Sequence, residues 1–312
     1  MSSLVVIGSI NADHLIHIEH FPAPGETCHG NGYRITGGGK GANQAMAAAR
    51  SGAKVSFIGC MGDDSTGRWI SQQLEQCKID TSGLACIEAC ATGFALIQID
   101  AKGENTVCIA SEANGYLNAN YIIRHRQIIA QAKMLLLQLE TPLDGVTEAI
   151  HQAAQQGVKV ILNPAPARVL SDALLAMVDV IIPNQREASV LTGIQVRDEL
   201  SARRACDVLH QKGIAQVIIT LGEKGAWVSD IQGEAYLSPG FYVHAVDSTA
   251  AGDTFIGALL GAQLRGLELR QALRFAHAAA ALSVTREGAQ NSIPQYQDVM
   301  LFLTSQPAND EQ

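Results

Sequence analysis

A carboxylate that directly follows a turn of small residues is the feature of this 312-residue chain with the clearest chemical meaning. In the segment 247–263, DSTAAGDTFIGALLGAQ, the turn 250–252 leads to Asp253, and an apolar pattern at helical spacing follows. Unobstructed backbone amides at the start of a helix can hold a negatively charged group. A carboxylate beside them can accept a proton while the amides stabilise developing charge. The pattern suits transfer of a phosphoryl group to a hydroxyl.

Further polar residues follow predicted strands or open predicted helices. The run 36–44, TGGGKGANQ, opens an alanine-rich helix and carries Lys40 and Asn43, whereas the run 11–13, NAD, and Glu140 each follow a strand. In parallel α/β sheets, ligands bind at the carboxyl ends of the strands. These side chains therefore indicate a polar substrate such as a sugar. Each group also has a purely structural interpretation, either an Asx turn or a flexible turn between sheet and helix.

Other glycine-rich and nucleophile motifs are absent. Gly41 follows Lys40 where a P-loop requires Ser or Thr, and no GxGxxG fingerprint occurs, which argues against a dinucleotide oxidoreductase. No GxSxG elbow occurs either, so a serine hydrolase has no support.

Three segments have weaker signals. Asn184 and Glu187 either form an N-cap with its capping box or hold water on Mg²⁺, and both interpretations stay open. The run 220–225, TLGEKG, ends a strand with a glycine turn and could shape a nucleotide pocket. His277 lies in an apolar helical pattern and by default is a packed core histidine. A metal site is not expected at the three histidines of a strand-and-loop region, His14, His17 and His20.

Composition excludes several classes of function. The formal net charge of −8 argues against a general nucleic-acid binder, and no apolar window is long enough to span a bilayer. The N-terminus does not resemble a signal peptide. Seven scattered cysteines without a CxxC pair indicate thiols in a reducing compartment. We therefore expect a soluble, cytoplasmic protein with neither nucleic acid nor membrane as a partner.

Short apolar runs alternate with helical patterns, which predicts a three-layer α/β fold with a mostly parallel sheet. The predicted buried strands are 4–8, 55–59, 134–139, 158–162, 178–183 and 217–221. The predicted helices are 41–51, 66–77, 119–131, 143–156, 200–212, 253–265, 269–285 and 295–303. Polar alternation in 13–36 and 93–110 predicts a small antiparallel sheet made from two insertions, a lid over a cleft. The remaining segments, 1–12, 37–92 and 111–312, would form the α/β domain.

Taken together, these motifs resemble the ribokinase-type (PfkB) carbohydrate kinases from about residue 4 to about residue 294. The matching blocks are GSINAD (8–13), PGET (24–27), GGKGANQ (38–44), GDD (62–64), QLE (138–140), NPAPA (163–167), PN–E (183–187), TLGEKGAW (220–227), AVDSTAAGDTFIGAL (245–259) and RFAHAAAALSVTREGAQ (274–290). The fold expected from this resemblance is a Rossmann-like sheet with a small β lid.

The resemblance also implies roles for individual positions. Asp253 would be the base, and the anion hole would be formed by the amides of Ala250, Ala251 and Gly252. The sugar would be held by Asn11, Asp13, Gly39, Lys40, Asn43 and Glu140. The nucleotide would lie against Asn184, Thr220, Gly222, Gly225 and His277. Glu187 would serve Mg²⁺ through water, and K⁺ would lie near Asp247, Thr249, Val284 and Gly288. The lid would also mediate a homodimer.

The implied activity is ATP-dependent phosphorylation of the primary hydroxyl of a pentose. The favoured reaction is the conversion of D-ribose to D-ribose 5-phosphate. The alternatives are a sister kinase acting on deoxyribose, another sugar or a nucleoside, and a non-catalytic sugar- or nucleotide-binding regulator. Three departures from the family pattern leave the sugar open: Ile256, the loop 111–114 with Glu112, and the pair 185–186.

Overall fold

In the computed structural model, which describes residues 3–306, the chain forms two sheets. Residues 1–2 and 307–312 of the predicted α/β domain lie outside the described residues. The strands of the large sheet are β1 (Leu4–Ile7), β4 (Val55–Gly62), β5 (Asp80–Ile87), β8 (Met134–Leu137), β9 (Lys159–Leu162), β10 (Val180–Ile181), β11 (Gln216–Thr220), β12 (Ala226–Asp230) and β13 (Ala235–Ser238). Their order is β13-β12-β11-β10-β9-β8-β1-β4-β5, and only β12 and β13 run antiparallel to their neighbours.

The small sheet, called the lid sheet below, comes from the two predicted insertions, although the first insertion extends two residues beyond the predicted 13–36 at each end. Its strands are β2 (Asn11–Ile18), β3 (Gly30–Gly38), β6 (Gly93–Ile99) and β7 (Asn105–Ala110), in the order β3-β2-β6-β7. The two outer pairings are antiparallel as predicted, and the central pairing of β2 with β6 is parallel. The central pairing is parallel because each insertion leaves the large sheet in the same direction.

Helices cover both faces of the large sheet. They are α1 (Lys40–Arg50), α2 (Ser65–Gln76), α3 (Ala119–Arg124), α4 (Arg126–Ala130), α5 (Leu143–Gln155), α6 (Asp172–Leu175), α7 (Gln185–Thr192), α8 (Glu199–Gln211), α9 (Ala251–Leu264), α10 (Leu269–Val284) and α11 (Tyr296–Ser305). The single helix predicted over 119–131 is two short helices, interrupted at His125.

Two hydrophobic cores lie on the two faces of the sheet. Along β1, Val5 and Ile7 pack into the core under α3 to α8, whereas Leu4 and Val6 pack into the core under α1, α2 and α9 to α11. Burial on both faces is why the central strands read as unbroken apolar runs, and all six predicted strands are found. The sheet also contains β5, β12 and β13, whose more polar sequences did not predict strands.

Candidate active site

The predicted site residues meet at the carboxyl edge of the large sheet, where β1, β8, β9, β10 and β11 end and α1 and α9 begin. Helices α1 and α9 approach closely at Gly257, where an added Cβ would lie 2.4 Å from the carbonyl oxygen of Gln44. Only glycine allows this approach. It brings side chains of α1 within hydrogen-bond distance of Asp253 in the first turn of α9.

Asp253 is a buried carboxylate that is oriented by two amides. Nδ2 of Asn43 donates to Oδ2 at 3.0 Å, and Nε2 of Gln44 donates to Oδ1 at 2.8 Å. The side chain is only 7% exposed, yet it borders a cavity that Lys40 also lines. The two donors fix the direction in which the carboxylate oxygens point, and a carboxylate oriented in this way is placed to accept a proton.

Gln44 belongs to a buried network that sequence reasoning missed. Its Nε2 also donates to Oδ1 of Asn163 at 2.9 Å, and its Oε1 accepts from Nε2 of Gln138 at 2.6 Å. Asn163 in turn donates to the carbonyl oxygen of Ile182 at 2.9 Å. The three amide residues lie in the sequence blocks GGKGANQ, NPAPA and QLE, and position in those blocks was the one signal that could have pointed to them.

Lys40 lies among carboxylates. Burial lowers the pKa of its ammonium group, but nearby negative charges outweigh that effect and raise the pKa above its ordinary value. In decreasing order of effect, these charges belong to Asp253, Glu140, Glu187 and Asp13. Lys40 is therefore a fixed positive charge between the predicted sugar and phosphate positions.

Glu140 holds the start of α1 in place. Its Oε2 accepts from Oγ of Ser9 at 2.6 Å and from the backbone amide of Lys40 at 3.1 Å. A carboxylate at a helix N-terminus satisfies an amide that has no partner within the helix and interacts favourably with the helix dipole. Glu140 therefore positions the glycine-rich turn as well as bordering the site.

Asp13 is a buried residue whose carboxylate receives no hydrogen bond from the described residues. Burial, followed by the negative charges of Glu140 and Asp253, raises its pKa from 3.8 to about 7, against the opposing effect of Lys40. Within the described chain no donor hydrogen-bonds this carboxylate, and Oδ1 of Asn43 is also buried without a partner. The carboxylate packs on Gly38, where an added Cβ would lie 2.1 Å from Oδ2. The site thus has one buried amide oxygen without a partner and one carboxylate without a protein donor, and hydroxyl groups of a ligand could supply hydrogen bonds to both.

Asn11 is held by Asn114, a further residue that sequence reasoning missed. Nδ2 of Asn114 donates to Oδ1 of Asn11 at 2.8 Å and to the carbonyl oxygen of Ile10 at 3.0 Å, and its Oδ1 accepts from the Ile10 amide at 2.9 Å. Asn114 follows β7, so it joins the points where both insertions meet the α/β domain. Because Oδ1 of Asn11 is occupied, its NH₂ group is the part left to face a ligand.

The turn before α9 has the backbone geometry of an anion site. Ala250 has φ +58°, a left-handed conformation that is costly for a residue with a side chain. Of the three amides predicted for the anion hole, those of Ala250 and Gly252 have no acceptor in the described structure, but that of Ala251 already donates to the Ser248 carbonyl at 3.2 Å. The amide of Asp253, which was not predicted, is also without an acceptor there. An added Cβ at Gly252 would meet nothing within 4 Å, so the turn faces open space.

Two cavities meet at this turn. The smaller, about 220 Å³, contains Lys40, Asn184, Glu187 and Asp253. The larger, about 320 Å³, is mostly apolar and is lined by residues that include Phe241, Tyr242, Phe255 and His277. Thr220, Ser248, Ala251 and Gly252 line both. The predicted anion hole therefore lies between a polar and an apolar compartment.

Asn184 and Glu187 form the capping box of α7. Oδ1 of Asn184 accepts from the Glu187 amide, and the two oxygens of Glu187 accept from N and Nδ2 of Asn184, all at 2.8 Å. Burial raises the pKa of Glu187, against the Asn184 hydrogen bond and the charge of Lys40. The structural interpretation is thus correct, and it still leaves Glu187 at the wall of the cavity.

Four of the five predicted nucleotide-binding residues, Thr220, Gly222, Gly225 and His277, line the larger cavity, whereas Asn184 lines the smaller one. His277 is both packed and cavity-lining: its ring contacts Phe255 at 4.9 Å between centroids, and Nε2 lies 3.1 Å from Oγ of Ser238. Burial lowers its pKa to about 4, against the Ser238 hydrogen bond, so the ring is neutral at physiological pH. Gly225 packs on the backbone, where an added Cβ would lie 2.1 Å from the Ser238 carbonyl oxygen.

The four predicted cation positions also lie together. Oδ1 of Asp247 accepts from the Thr249 amide and Oδ2 from the Gly288 amide, both at 2.9 Å. The Val284 carbonyl accepts from the amides of Val246 and Asp247 at 2.7 and 3.1 Å. Among the residues described, no donor reaches the carbonyls of Thr249 and Gly288. Desolvation raises the pKa of Asp247, but these hydrogen bonds outweigh it and keep the pKa below its ordinary value.

The departures from the family pattern have different positions. Ile256 is 3% exposed, packs in the core and borders the smaller cavity. Glu112 has φ +42° and starts a 3₁₀ turn over Glu112–Tyr116, next to the lid sheet. Gln185 is the first residue of α7, and Arg186 follows it on the same helix. None of the four hydrogen-bonds Asp253.

Comparison with known proteins adds independent findings. The model of the "pfkB family carbohydrate kinase" matches residues 1–296. A ribokinase of Haemophilus influenzae is 50% identical over 301 residues, which cover 96% of this chain and 98% of that protein. A deoxyribokinase of Salmonella typhi is 35% identical over 303 residues, covering 96% and 98%.

A solved structure of Arabidopsis thaliana ribokinase complexed with ribose and ATP superimposes with a TM-score of 0.90 at 31% identity, covering 98% of this chain and 99% of that one. The predicted family and the predicted ribokinase-like fold are therefore confirmed.

Proposed function

This chain belongs to the pfkB family of carbohydrate kinases, and from that membership we propose that it transfers the γ-phosphoryl group of ATP to the primary hydroxyl of D-ribose. The product would be D-ribose 5-phosphate. One observation supports the proposal for this site: beside the oriented carboxylate of Asp253, Oδ1 of Asn43 is a buried acceptor without a partner, and the carboxylate of the buried residue Asp13 receives no hydrogen bond from the described residues. A polyhydroxylated ligand supplies the missing donors. The 50% identical relative named ribokinase favours ribose among the sugars.

The residues of this chain account for the required chemistry. Asp253 accepts the proton of the sugar hydroxyl as that oxygen bonds to phosphorus and the bond from phosphorus to the ADP oxygen breaks. The free amides of Ala250, Gly252 and Asp253 face the position of the transferring group and offset its negative charge. Lys40 offsets the remaining charge from the sugar side. The apolar cavity around His277 suits a neutral nucleobase.

Mg²⁺ fits the site through water. The described residues contain no group of three His, Cys, Asp or Glu side chains that could hold a metal directly. Glu187 borders the cavity, and Mg²⁺ commonly keeps several waters and binds phosphates with few protein ligands. When bound, Mg²⁺ neutralises phosphate charge. We propose that Glu187 orients its waters.

K⁺ is proposed at the Asp247 loop. The carbonyls of Thr249 and Gly288 have no donor within the described chain, and Asp247 supplies a negative charge between them. Asp247 lies three residues before Ala250. Occupancy of the loop would therefore stabilise the strained turn that carries the anion site.

The lid sheet and its outer face support two further proposals. Closure of the lid sheet over the sugar would exclude water, a competing acceptor. Apolar side chains on its outer face are open to solvent, with exposures of 45%, 38% and 40% for Ile35, Phe94 and Leu96. Burying this face in a homodimer would remove it from water. A Leu96→Glu variant should then be monomeric by analytical ultracentrifugation, whereas a dimer that persists contradicts this interface.

The cellular location is also a proposal. No helix in the described residues is long and apolar enough to cross a membrane, and all seven cysteines are free. Free thiols, some of them exposed, are typical of a reducing compartment. We propose the cytoplasm.

A sister activity on deoxyribose is the second candidate, favoured by the relative named deoxyribokinase at 35% identity. An ADP-release assay over free pentoses, hexoses and nucleosides, with and without K⁺, decides between them. We expect the highest kcat/KM with D-ribose and activation by K⁺. Absence of turnover with every pentose would refute the proposed function.

The proposed base has its own test. Asp253→Asn should lower kcat by about 10²–10⁴-fold while ATP binding, measured by calorimetry, is retained. Asp207→Asn, which changes an exposed carboxylate on α8, is the matched control and should behave as wild type. Near-normal turnover by Asp253→Asn contradicts its role as the proton acceptor.

A further inference from the structure

The orientation of the Gln44 carboxamide is fixed at both ends of the buried network. An ionised Asp253 can only accept, so Gln44 must turn its NH₂ group toward Oδ1 at 2.8 Å. The Ile182 carbonyl can likewise only accept, so Asn163 must turn its NH₂ group toward it and its Oδ1 toward Gln44. Both constraints agree on one orientation of Gln44.

That orientation needs a donor behind it, and Gln138 provides it. Oε1 of Gln44 faces Nε2 of Gln138 at 2.6 Å. If this donor were absent, Oε1 would be an unsatisfied buried acceptor, and rotation of the amide would turn an oxygen toward the Asp253 carboxylate. Gln138 therefore acts on Asp253 through Gln44, without touching it.

The network leaves one of its buried polar atoms without a hydrogen-bond partner. Oε1 of Gln138 has no hydrogen-bond partner in the described structure, and it lies where a Cβ at Gly8 would be 2.0 Å away. An unpartnered buried oxygen is costly, and a leucine or methionine at position 138 would avoid that cost. The retention of a glutamine with an unsatisfied oxygen points to a function for its donor group.

We propose that Gln44 is a positioning residue that holds the Asp253 carboxylate in the direction from which it accepts the substrate proton, and that Gln138 sets the orientation of Gln44. This proposal rests on the proposed function of Asp253. Gln44 on α1 and Gln138 after β8 would thus serve the reaction without contacting the sugar or the nucleotide.

The test compares near-isosteric variants by steady-state kinetics and calorimetry. Gln44→Met should lower kcat by about 10–100-fold, the range expected when a reacting group is displaced by about 1 Å, while the Kd for ATP stays within about threefold of wild type. Gln138→Met should lower kcat in the same way but less. Gln72→Met, on the exposed face of α2, is the matched control and should be unchanged.

Two readouts separate positioning from simple loss of stability. In a Gln44→Met background, Gln138→Met should have little further effect on kcat, because the group through which it acts is gone. In Gln44→Glu, the ratio of kcat to that of wild type should rise as the pH falls from 8.5 to 5.5, since protonation of the new carboxyl restores a donor toward Asp253. If both residues had a purely structural role, the losses of kcat in the two single variants would multiply in the double variant. The ratio of kcat for Gln44→Glu to that of wild type would not depend on pH, and each loss of kcat would follow the decrease in Tm.

Failure of this inference is distinguishable from failure of the proposed function. If the wild type phosphorylates a pentose and Gln44→Met keeps kcat within about twofold, the positioning role is refuted and the kinase assignment stands. If the wild type phosphorylates no sugar, the proposed function fails, and the positioning role fails with it. Should Gln44→Met not fold, the single Gln138→Met variant and the pH series of Gln44→Glu decide the question.

Discussion

The charge on Asp13 is expected to oppose folding at neutral pH, and the variant Asp13→Asn measures by how much. The pKa of Asp13 is about 7 in the folded chain, raised by burial and by the charges of Glu140 and Asp253. In an unfolded chain it returns to its ordinary value of 3.8. Between these two values the folded state holds a proton that the unfolded state has lost. The stability contributed by this group therefore falls as the pH rises from about 4 to about 7.

The size of the effect follows from the two pKa values. At about 1.4 kcal/mol for each pH unit, the loss amounts to about 4 kcal/mol in total, of which about 2–3 kcal/mol falls between pH 5 and pH 8. The burial of Asp13, which is 6% exposed, leaves little solvent to screen the charge. Asparagine has nearly the same shape as aspartate but does not ionise. The unfolding free energy of the Asp13→Asn variant therefore lacks this component of the pH dependence.

Urea unfolding of both proteins across pH 5–8 is the assay. The difference in unfolding free energy, Asp13→Asn minus wild type, should increase with pH by about 2–3 kcal/mol and level off above pH 7. Titrating groups remote from Asp13 are common to both proteins and cancel in the difference. Parallel curves would refute the reasoning. The same variant should bind sugar more weakly, since a charged acceptor for its hydroxyls is lost.

Further predictions concern α9 and the nucleotide side. Gly252→Ala should leave Tm unchanged in thermal unfolding but lower kcat at least tenfold, because its Cβ enters the open space proposed for the phosphoryl group. Gly257→Ala on the same helix should instead destabilise the fold by about 1–3 kcal/mol, because its Cβ would lie 2.4 Å from a backbone oxygen; equal effects of the two variants would contradict both assignments. The His277 ring should stay neutral in an NMR titration until the pH approaches 4, and a midpoint near 6.5 would show that it is not buried as described. Because its pKa is lowered, the stability it contributes is present above pH 6.5 and is lost as the pH falls toward 4.

Much of the fold and part of the site followed from local sequence. Continuous apolar runs predicted the six central strands, because burial on both faces of a parallel sheet demands them. Polar alternation predicted the two insertions that form the lid sheet. By contrast, β5 is an edge strand with polar residues, β12 is buried but short and ends in Ser229 and Asp230, and β13 is short and partly exposed, so none of the three has a long apolar run.

The roles of the site residues depend on contacts between segments that lie far apart in the sequence. Asn184 and Glu187 fit both a capping box and a metal-linked pair by spacing alone, and the structure has the capping box at the wall of the cavity. Sequence reasoning missed Asn114 because its partners, Ile10 and Asn11, lie more than one hundred positions earlier in the chain. Spacing within one segment carries no information on such contacts.

By itself the sequence determined the chemical groups at each strand end and the turn 250–253, because local geometry depends on neighbouring residues. Only the tertiary structure decided which groups touch: Gln44 meets Asp253 across 209 positions, Asn163 across 119 and Gln138 across 94. These contacts exist because β1, β8 and β9 are adjacent in the sheet and because Gly257 lets α9 approach α1. The carboxylate of Asp253 could therefore be predicted from its own segment, whereas its orientation depends on tertiary packing.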